Sequence, residues 1–284
     1  MERGTWNAVV EAIRRLRRWS PPRARYSNRD ILAILLWAAL HDRPVSWACR
    51  RANWPPQAWR RRLADQSTVS RRLRDPRLLD DLTALIRRVQ RGLPPGHALI
   101  VDGKPFVLGH YARDPEAGNG WGAGRYNRGY KLHAVIDTSH RVVDFEVRPM
   151  NHAEPTVARE MVDRLDRPGA DLLLGDAAYD SNPLHEACAG RGLRLLAPRR
   201  RPGTGISKGH RHHPARLEAV RLIEGPNPPA ILTQRQTIER FFSRLVVGAR
   251  LFALPPWVRR LRRVRQWVAA KLLLNAIRIA GLDA

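Results

Sequence analysis

Apolar residues recur at helical spacing through the first third of the chain. Between Asn7 and Trp19 they fall at Val9, Val10, Ile13, Leu16 and Trp19 with arginines between, predicting a helix that Pro21 and Pro22 end. A second helix is expected from the capping pair Ser27 or Asn28 to about His41, and a short third after Pro44. The segment Asp65 to Arg74 opens on capping residues, carries three arginines and stops at Pro76. Another helix is expected over about Arg77 to Arg91, before a Leu-Pro-Pro-Gly linker. Residues 1–92 therefore read as helical.

From about His97 the pattern changes to short apolar runs of strand length. Ala98 to Val101 ends at Asp102, and Phe106 to Leu108 either continues that strand or starts a hairpin. Gly118 to Gly124 has no Lys-Ser/Thr ending and no helix after it, so a mobile loop is expected rather than a phosphate cradle. Tyr130 to Asp137 and Val142 to Val147 predict two strands around a Thr-Ser-His-Arg turn. A helix over Ala153 to Leu165, with Glu154 and Pro155 early in it, leads to a strand from Asp171 to Leu174 just before Asp176. A helix from about Pro183, capped by Ser181 or Asn182, and a strand at Leu193 to Leu196 follow. This is an α/β layout: three meander strands plus two added by crossovers. Arg199 to about Gln234 is a basic, Pro/Gly-rich insertion expected to form an irregular flap over DNA. Helices over Gln236–Val247 and Val258–Ile279 close the chain, the latter with arginines at 259, 260, 262, 263 and 265.

Charge changes the picture. The 284 residues hold 51 basic and 26 acidic side chains, a formal net charge of +25. Such a body seeks polyanions, and arginine forks bind phosphate bidentately. The Ser/Thr-started helix bearing Arg71 and Arg72 suggests a helix-turn-helix-like DNA-binding region, with a helical cap that merely touches phosphates as the alternative. The longest apolar run, Ile31 to Leu40, is too short for a bilayer, and no secretory leader pattern is read. Cys49 and Cys188 show no ligand spacing and read as reduced thiols. The expected setting is cytoplasmic.

Against this basic background stand Asp102 and Asp176, each closing an apolar strand, and Glu239 on a helix. Strand ends on neighbouring strands bring carboxylates close enough to share a divalent ion, and two such ions serve phosphodiester chemistry. Plainer readings stay open: Asp102 as a turn residue, Asp176 as a cap, Glu239 as a surface partner of Arg235 or Arg240. Asp180 reads as a spare ligand or a turn residue, Asn151 and His152 as substrate contacts or loop hydrogen bonds. Trp121 reads as a surface on which an unpaired base could stack. His210, His212 and His213 lack a cysteine or carboxylate set, so a structural zinc site is not expected.

Four motifs, in order, resemble the DDE transposases of bacterial insertion sequences. They are Val101-Asp102-Gly103-Lys104, Gly129-Tyr130-Lys131-Leu132-His133, Gly175 to Ser181, and Arg235 to Phe242. The resemblance implies a ribonuclease-H-like mixed sheet with flanking helices over residues 97–284, with a short basic insertion at about 199–234, behind a small all-helical domain over 1–92. It implies that Asp102, Asp176 and Glu239 bind two Mg²⁺ ions, with Mn²⁺ as a substitute, for cleavage and transfer of DNA strands at the element's terminal inverted repeats. It makes Arg235, Lys104 and Lys131 phosphate contacts beside Arg71 and Arg72. Double-stranded DNA, a homodimer on DNA, and a nucleoid-associated, non-membrane setting go with it. The positions where some members carry Tyr and Lys hold Leu232 and Val246 here. A catalytically silent DNA-binding relic and a general metal-dependent nuclease of the same fold are the alternatives.

Overall fold

The computed structural model describes residues 2–59, 62–109, 112–165, 170–202, 206 and 211–282. The chain divides into two compact units. One comprises Met1–Leu93, Gly109–Glu116 and Ser243–Ala284; the other comprises Pro94–Leu108 and Ala117–Phe242.

The first unit is helical: α1 (Glu2–Arg14), α2 (Asn28–Leu40), α3 (Val45–Ala48), α4 (Gln66–Arg72), α5 (Arg77–Val89) and the C-terminal helix, Leu261–Ile279. Ser27 caps α2 through a capping box, its hydroxyl donating to Asp30 Oδ2 at 2.6 Å and its backbone N–H to the same oxygen at 2.9 Å. Every residue from Ile31 to Leu40 is buried, so α2 is the centre of this unit rather than an amphipathic surface helix. The C-terminal helix packs on α5, α2 and α1. Its Lys271 ammonium is buried against Asp42, and its Gln266 amide donates to the Leu73 carbonyl. Asp114 and Glu116 cap that helix by accepting the backbone N–H groups of Arg260 and Leu261, each at 2.8 Å.

The first helix starts earlier than its periodicity predicts and stops at Arg14. Asn28 is the physical reason. Its side chain accepts from Trp19 N at 3.1 Å and donates to Arg17 O at 3.0 Å, holding residues 17–19 in a non-helical course. The C-terminal helix likewise begins at Leu261, three residues after its expected start, where the acidic caps sit.

The second unit is built on a six-stranded mixed sheet. Its strands are β1 (Leu99–Val107), β2 (Gly118–Gly122), β3 (Arg125–Asp137), β4 (Val142–Pro149), β5 (Leu172–Leu174) and β6 (Arg194–Leu196). The order is β2-β3-β1-β5-β6, with β4 also on β3. β1 is one unbroken strand, antiparallel to β3 over its whole length and parallel to β5. Leu99, Val101, Val135 and Leu173 meet α6 (Glu154–Asp163) and α7 (Asn182–Gly190) in the apolar core. This mixed α/β arrangement, with a helical region before it, is of the ribonuclease-H-like kind.

Two expectations change here. The glycine-rich stretch is a strand, β2, paired with β3 from Gly118↔Gly129 to Gly122↔Arg125, and not a loop. The insertion is not wholly irregular: α8 (Pro214–Glu224) packs on α7 and β6 and buries Ala219 and Val220. Arg216 of α8 grips Asp180 with two bonds of 2.7 and 2.6 Å, which fixes the helix to the body. The following helix, α9, runs over Gln236–Val247 as expected.

Candidate metal and phosphate site

The last paired positions of β1 and β5 are Ile100 and Leu174. Asp102 and Asp176 each follow two residues later, so both continue the row of Ile100 and Leu174. That row is opposite to the one holding Leu99 and Leu173, which enter the core. Asp102 is half-buried, and its carboxyl is pushed up to about 6. Burial is the main cause. A 2.7 Å bond from Gly103 N–H works against it, the charges of Asp176 and Glu154 add to it, and Arg235 opposes it. Two carboxylates thus compete for one weakly compensated position.

Asp176 is held by its own turn, its Oδ1 accepting from Ala178 N–H at 2.8 Å. Gly175 before it cannot carry a side chain, since a Cβ would lie 2.9 Å from Tyr179 Cβ and 3.1 Å from Tyr179 Cγ. The Tyr179 ring folds back under the strand end and is fully buried. Burial, then the charges of Glu154, Asp102 and Asp176, hold its phenol well above its ordinary range.

Glu154 is the residue the sequence reading passes over. It ion-pairs with Lys131, the two side chains being 20% and 9% exposed. Lys131, expected as a phosphate contact, also donates to the Trp121 carbonyl at 3.2 Å. Gly103 makes room for the pair: a Cβ there would lie 2.9 Å from Lys131 Cδ and 3.2 Å from Glu154 Oε1. A glycine inside a strand, next to Asp102, is the one sequence signal that marks this close approach. His133, the β3 partner of Gly103, is buried, and its ring is pushed down to about 3 by burial, then by the charges of Lys131, Arg148 and His152.

Glu239 lies on the first turn of α9, 57% exposed, 3.2 Å from Arg235 NH2. Arg235 ends a 3-10 turn (Ala230–Arg235), and its charge reaches both Glu239 and Asp102. Among the described residues no three His, Cys, Asp or Glu side chains stand close enough to hold one metal ion. The structure therefore brings Asp102 and Asp176 together and holds Glu239 by Arg235.

Lys104 shares the Asp102 row by alternation, and burial lowers its ammonium. In the helical unit, Arg71 is exposed, whereas Arg72 donates to Tyr26 O at 2.6 Å and lies over the Trp19 ring at 5.3 Å. Asp180 is engaged by Arg216 and His185. His212 contacts Arg216 at 2.7 Å, His213 caps α8, and His210 lies outside the described residues.

The family model described as "Transposase DDE domain" matches residues 94–275, a span holding Asp102, Asp176, Arg235 and Glu239. The chain belongs to this family. No curated protein matches it. The DDE-domain match takes in the whole β1–β6 sheet and α9, and it includes Leu232 and Val246. Among the described residues of this DDE-family chain, no helix is long and apolar enough to cross a membrane.

Proposed function

We propose that this chain is a metal-dependent DNA transposase that binds the terminal inverted repeats of its element, cleaves a strand there and transfers it to target DNA. The observation that carries the reading is the register of β1 and β5, which sets Asp102 and Asp176 in one row with the charge of Arg235 beside them. The donor chemistry fits a divalent ion: hard carboxylate oxygens, one of them pushed up chiefly by burial. Asp102 and Asp176 would hold the metal, joined by Glu239 once a substrate phosphate draws Arg235 away from it. When bound, a pair of Mg²⁺ or Mn²⁺ ions supplies activation of the attacking oxygen and stabilisation of the leaving one.

The chain's own residues do the positioning. Arg235 offers a planar fork to a phosphate beside the carboxylates, and Lys104 adds charge in the same row. The Gly175–Tyr179 packing and the Lys131–Glu154 pair keep the backbone beside the two aspartates rigid, as in-line geometry requires. The helical residues 1–92, with Arg71 exposed, would bind duplex DNA, and a homodimer would hold two element ends in a cytoplasmic, nucleoid-associated setting.

The test is a labelled inverted-repeat end with Mg²⁺, incubated with the parent and with Asp102→Ala, Asp176→Ala and Glu239→Ala. Each variant is expected to bind the end and fail to nick it. Equal cutting by all three sinks the assignment. Cutting unrelated to the ends points to a general nuclease, and binding without cutting by the parent points to a silent DNA-binding relic.

A further inference from the structure

We propose that the β2–β3 hairpin is a stacking platform for unpaired DNA bases, with Trp121 and Tyr126 as its surface. This rests on the reading that the chain acts on DNA.

On one side of the hairpin, β2 carries only glycines where it meets the body. A Cβ on Gly118 would lie 2.1 Å from Asn151 Oδ1, on Gly120 2.0 Å from the Met150 carbonyl oxygen, and on Gly122 2.6 Å from Met150 Cε. On the facing strand, a Cβ on Gly129 would lie 2.1 Å from Phe106 O. The glycines therefore let the hairpin lie flat on Met150, Asn151 and the end of β1. The alternate positions face outward. Trp121 pairs directly with Tyr126, and these rings are 69% and 67% exposed. Directly paired side chains stand on the same side of the ladder, about 5 Å apart at Cβ, so the two rings form one surface. Ala123 (φ 52) and Gly124 (φ 76) make the two-residue turn with both residues left-handed, the geometry that matches strand twist and keeps the tip short.

A lone exposed aromatic is ordinary, but two paired rings over a clamped glycine face form a built surface. Charge selects its occupant. Arg128 follows Tyr126 in the same row, Arg125 stands on the glycine side at the hairpin's tip, and the whole chain carries +25. A second copy would bring the same charge, whereas a nucleic-acid strand brings phosphates for the arginines and a π-face for each ring. By alternation along β3, Tyr126 lies in the row of Ala134, which pairs with Asp102. Eight residues of strand separate them, roughly 26 Å. The platform thus contacts DNA flanking the carboxylates, away from the bond being cut. It is tied to them mechanically: the Trp121 carbonyl accepts from Lys131, whose ammonium pairs with Glu154.

The experiment measures binding of the full-length chain to a 2-aminopurine-labelled single strand, to a duplex end with an unpaired extension, and to a blunt duplex. Parent, Trp121→Ala, Tyr126→Ala and Trp121→Phe are compared, with thermal melts as the folding control. Trp121→Ala is expected to lose about tenfold in affinity for the unpaired probes, together with base quenching, while blunt-duplex binding is unchanged. Trp121→Phe keeps most of both. Unaltered binding by both alanine variants, or an equal loss on blunt duplex, overturns the platform. So does DNA-free dimerisation that Trp121→Ala abolishes, which would make the surface a self-contact. If the parent cuts ends while the platform fails, only this inference falls. If the parent stacks bases through Trp121 yet never cuts, the transposase reading falls alone.

Discussion

Asp102 and Asp176 each stand two residues beyond the Ile100↔Leu174 pair of β1 and β5, and the charge of Asp176 adds to burial in holding the Asp102 carboxyl up. The energetic consequence follows from the Asp102 carboxyl, raised to about 6 from an ordinary value of 3.8. A raised acid stabilises the fold while protonated, below the ordinary carboxylate range, and that contribution is lost as pH rises through 6. Asp102→Asn cannot ionise. Without divalent ions it should be more stable than the parent at pH 7.5 by about 1–3 kcal/mol, and no more stable at pH 4. Denaturant melts at the two pH values check this. Added Mg²⁺ should raise the parent's melting temperature and leave the variant's unchanged.

Gly103→Ala should disturb the site without touching a carboxylate. The new methyl would meet Lys131 Cδ at 2.9 Å and Glu154 Oε1 at 3.2 Å, prising apart a pair that is almost shut off from water. Overpacking of this kind costs about 1–3 kcal/mol. Glu154→Ala should cost about 3 kcal/mol or more, because it leaves the Lys131 ammonium enclosed without its counter-ion. Urea unfolding measures both, and the double change of Lys131 and Glu154 to apolar residues should cost less than Glu154→Ala alone.

Arg235→Ala should separate phosphate contact from fold. Its side chain is 36% exposed, so stability should change by less than about 1 kcal/mol. Binding to element ends should weaken, and the slope of log K against log salt should become shallower by about 0.9, the loss of one phosphate contact. An unchanged slope would remove Arg235 from the DNA path.

Asp180 behaves in the opposite sense to Asp102. Burial alone would raise its carboxyl, but hydrogen bonds from Arg216 and His185 and their charges outweigh burial and hold it down at about 2. Its stabilisation is present above the ordinary carboxylate range and is lost as pH falls toward 2. Asp180→Ala should cost about 3–5 kcal/mol at neutral pH by leaving the Arg216 guanidinium unpaired, and should flatten the acid limb of the stability curve. Proteolysis at α8 should rise with it, since Arg216 is what holds that helix down.

How much of this was legible in the sequence depends on what each feature needs. Local signals served well: a cap at Ser27 or Asn28 before α2, the capping start at Asp65 before α4 and the full span of α9 rest on spacings of a few residues. The apolar runs before Asp102 and Asp176 were visible because they are short and continuous, but β1 does not stop at Asp102: it runs unbroken to Val107, so only Asp176 stands past the end of its strand. β2 was not visible, since five residues with three glycines have no strand propensity; Met150, Asn151 and Pro105, lying against it, explain those glycines. Nor was the Lys131–Glu154 pair, which joins residues 23 apart whose types alone permit many other partners. Trp19 misled the periodicity because its indole serves Asp81, at 3.0 Å, rather than a continued helix.

The helical unit is closed by the last long helix of the chain. Lys271 neutralises Asp42, Gln266 satisfies Leu73, and α5 and α2 lay their apolar sides against Leu261–Ile279. A ribosome makes that helix after the sheet unit, so the earlier helices wait through synthesis of the whole sheet unit before their core is complete. Folding of this unit therefore completes only after the sheet unit has been made, even though most of its residues emerge first, and a product terminated before Leu261 would expose the apolar sides of α2 and α5 to chaperones and proteases.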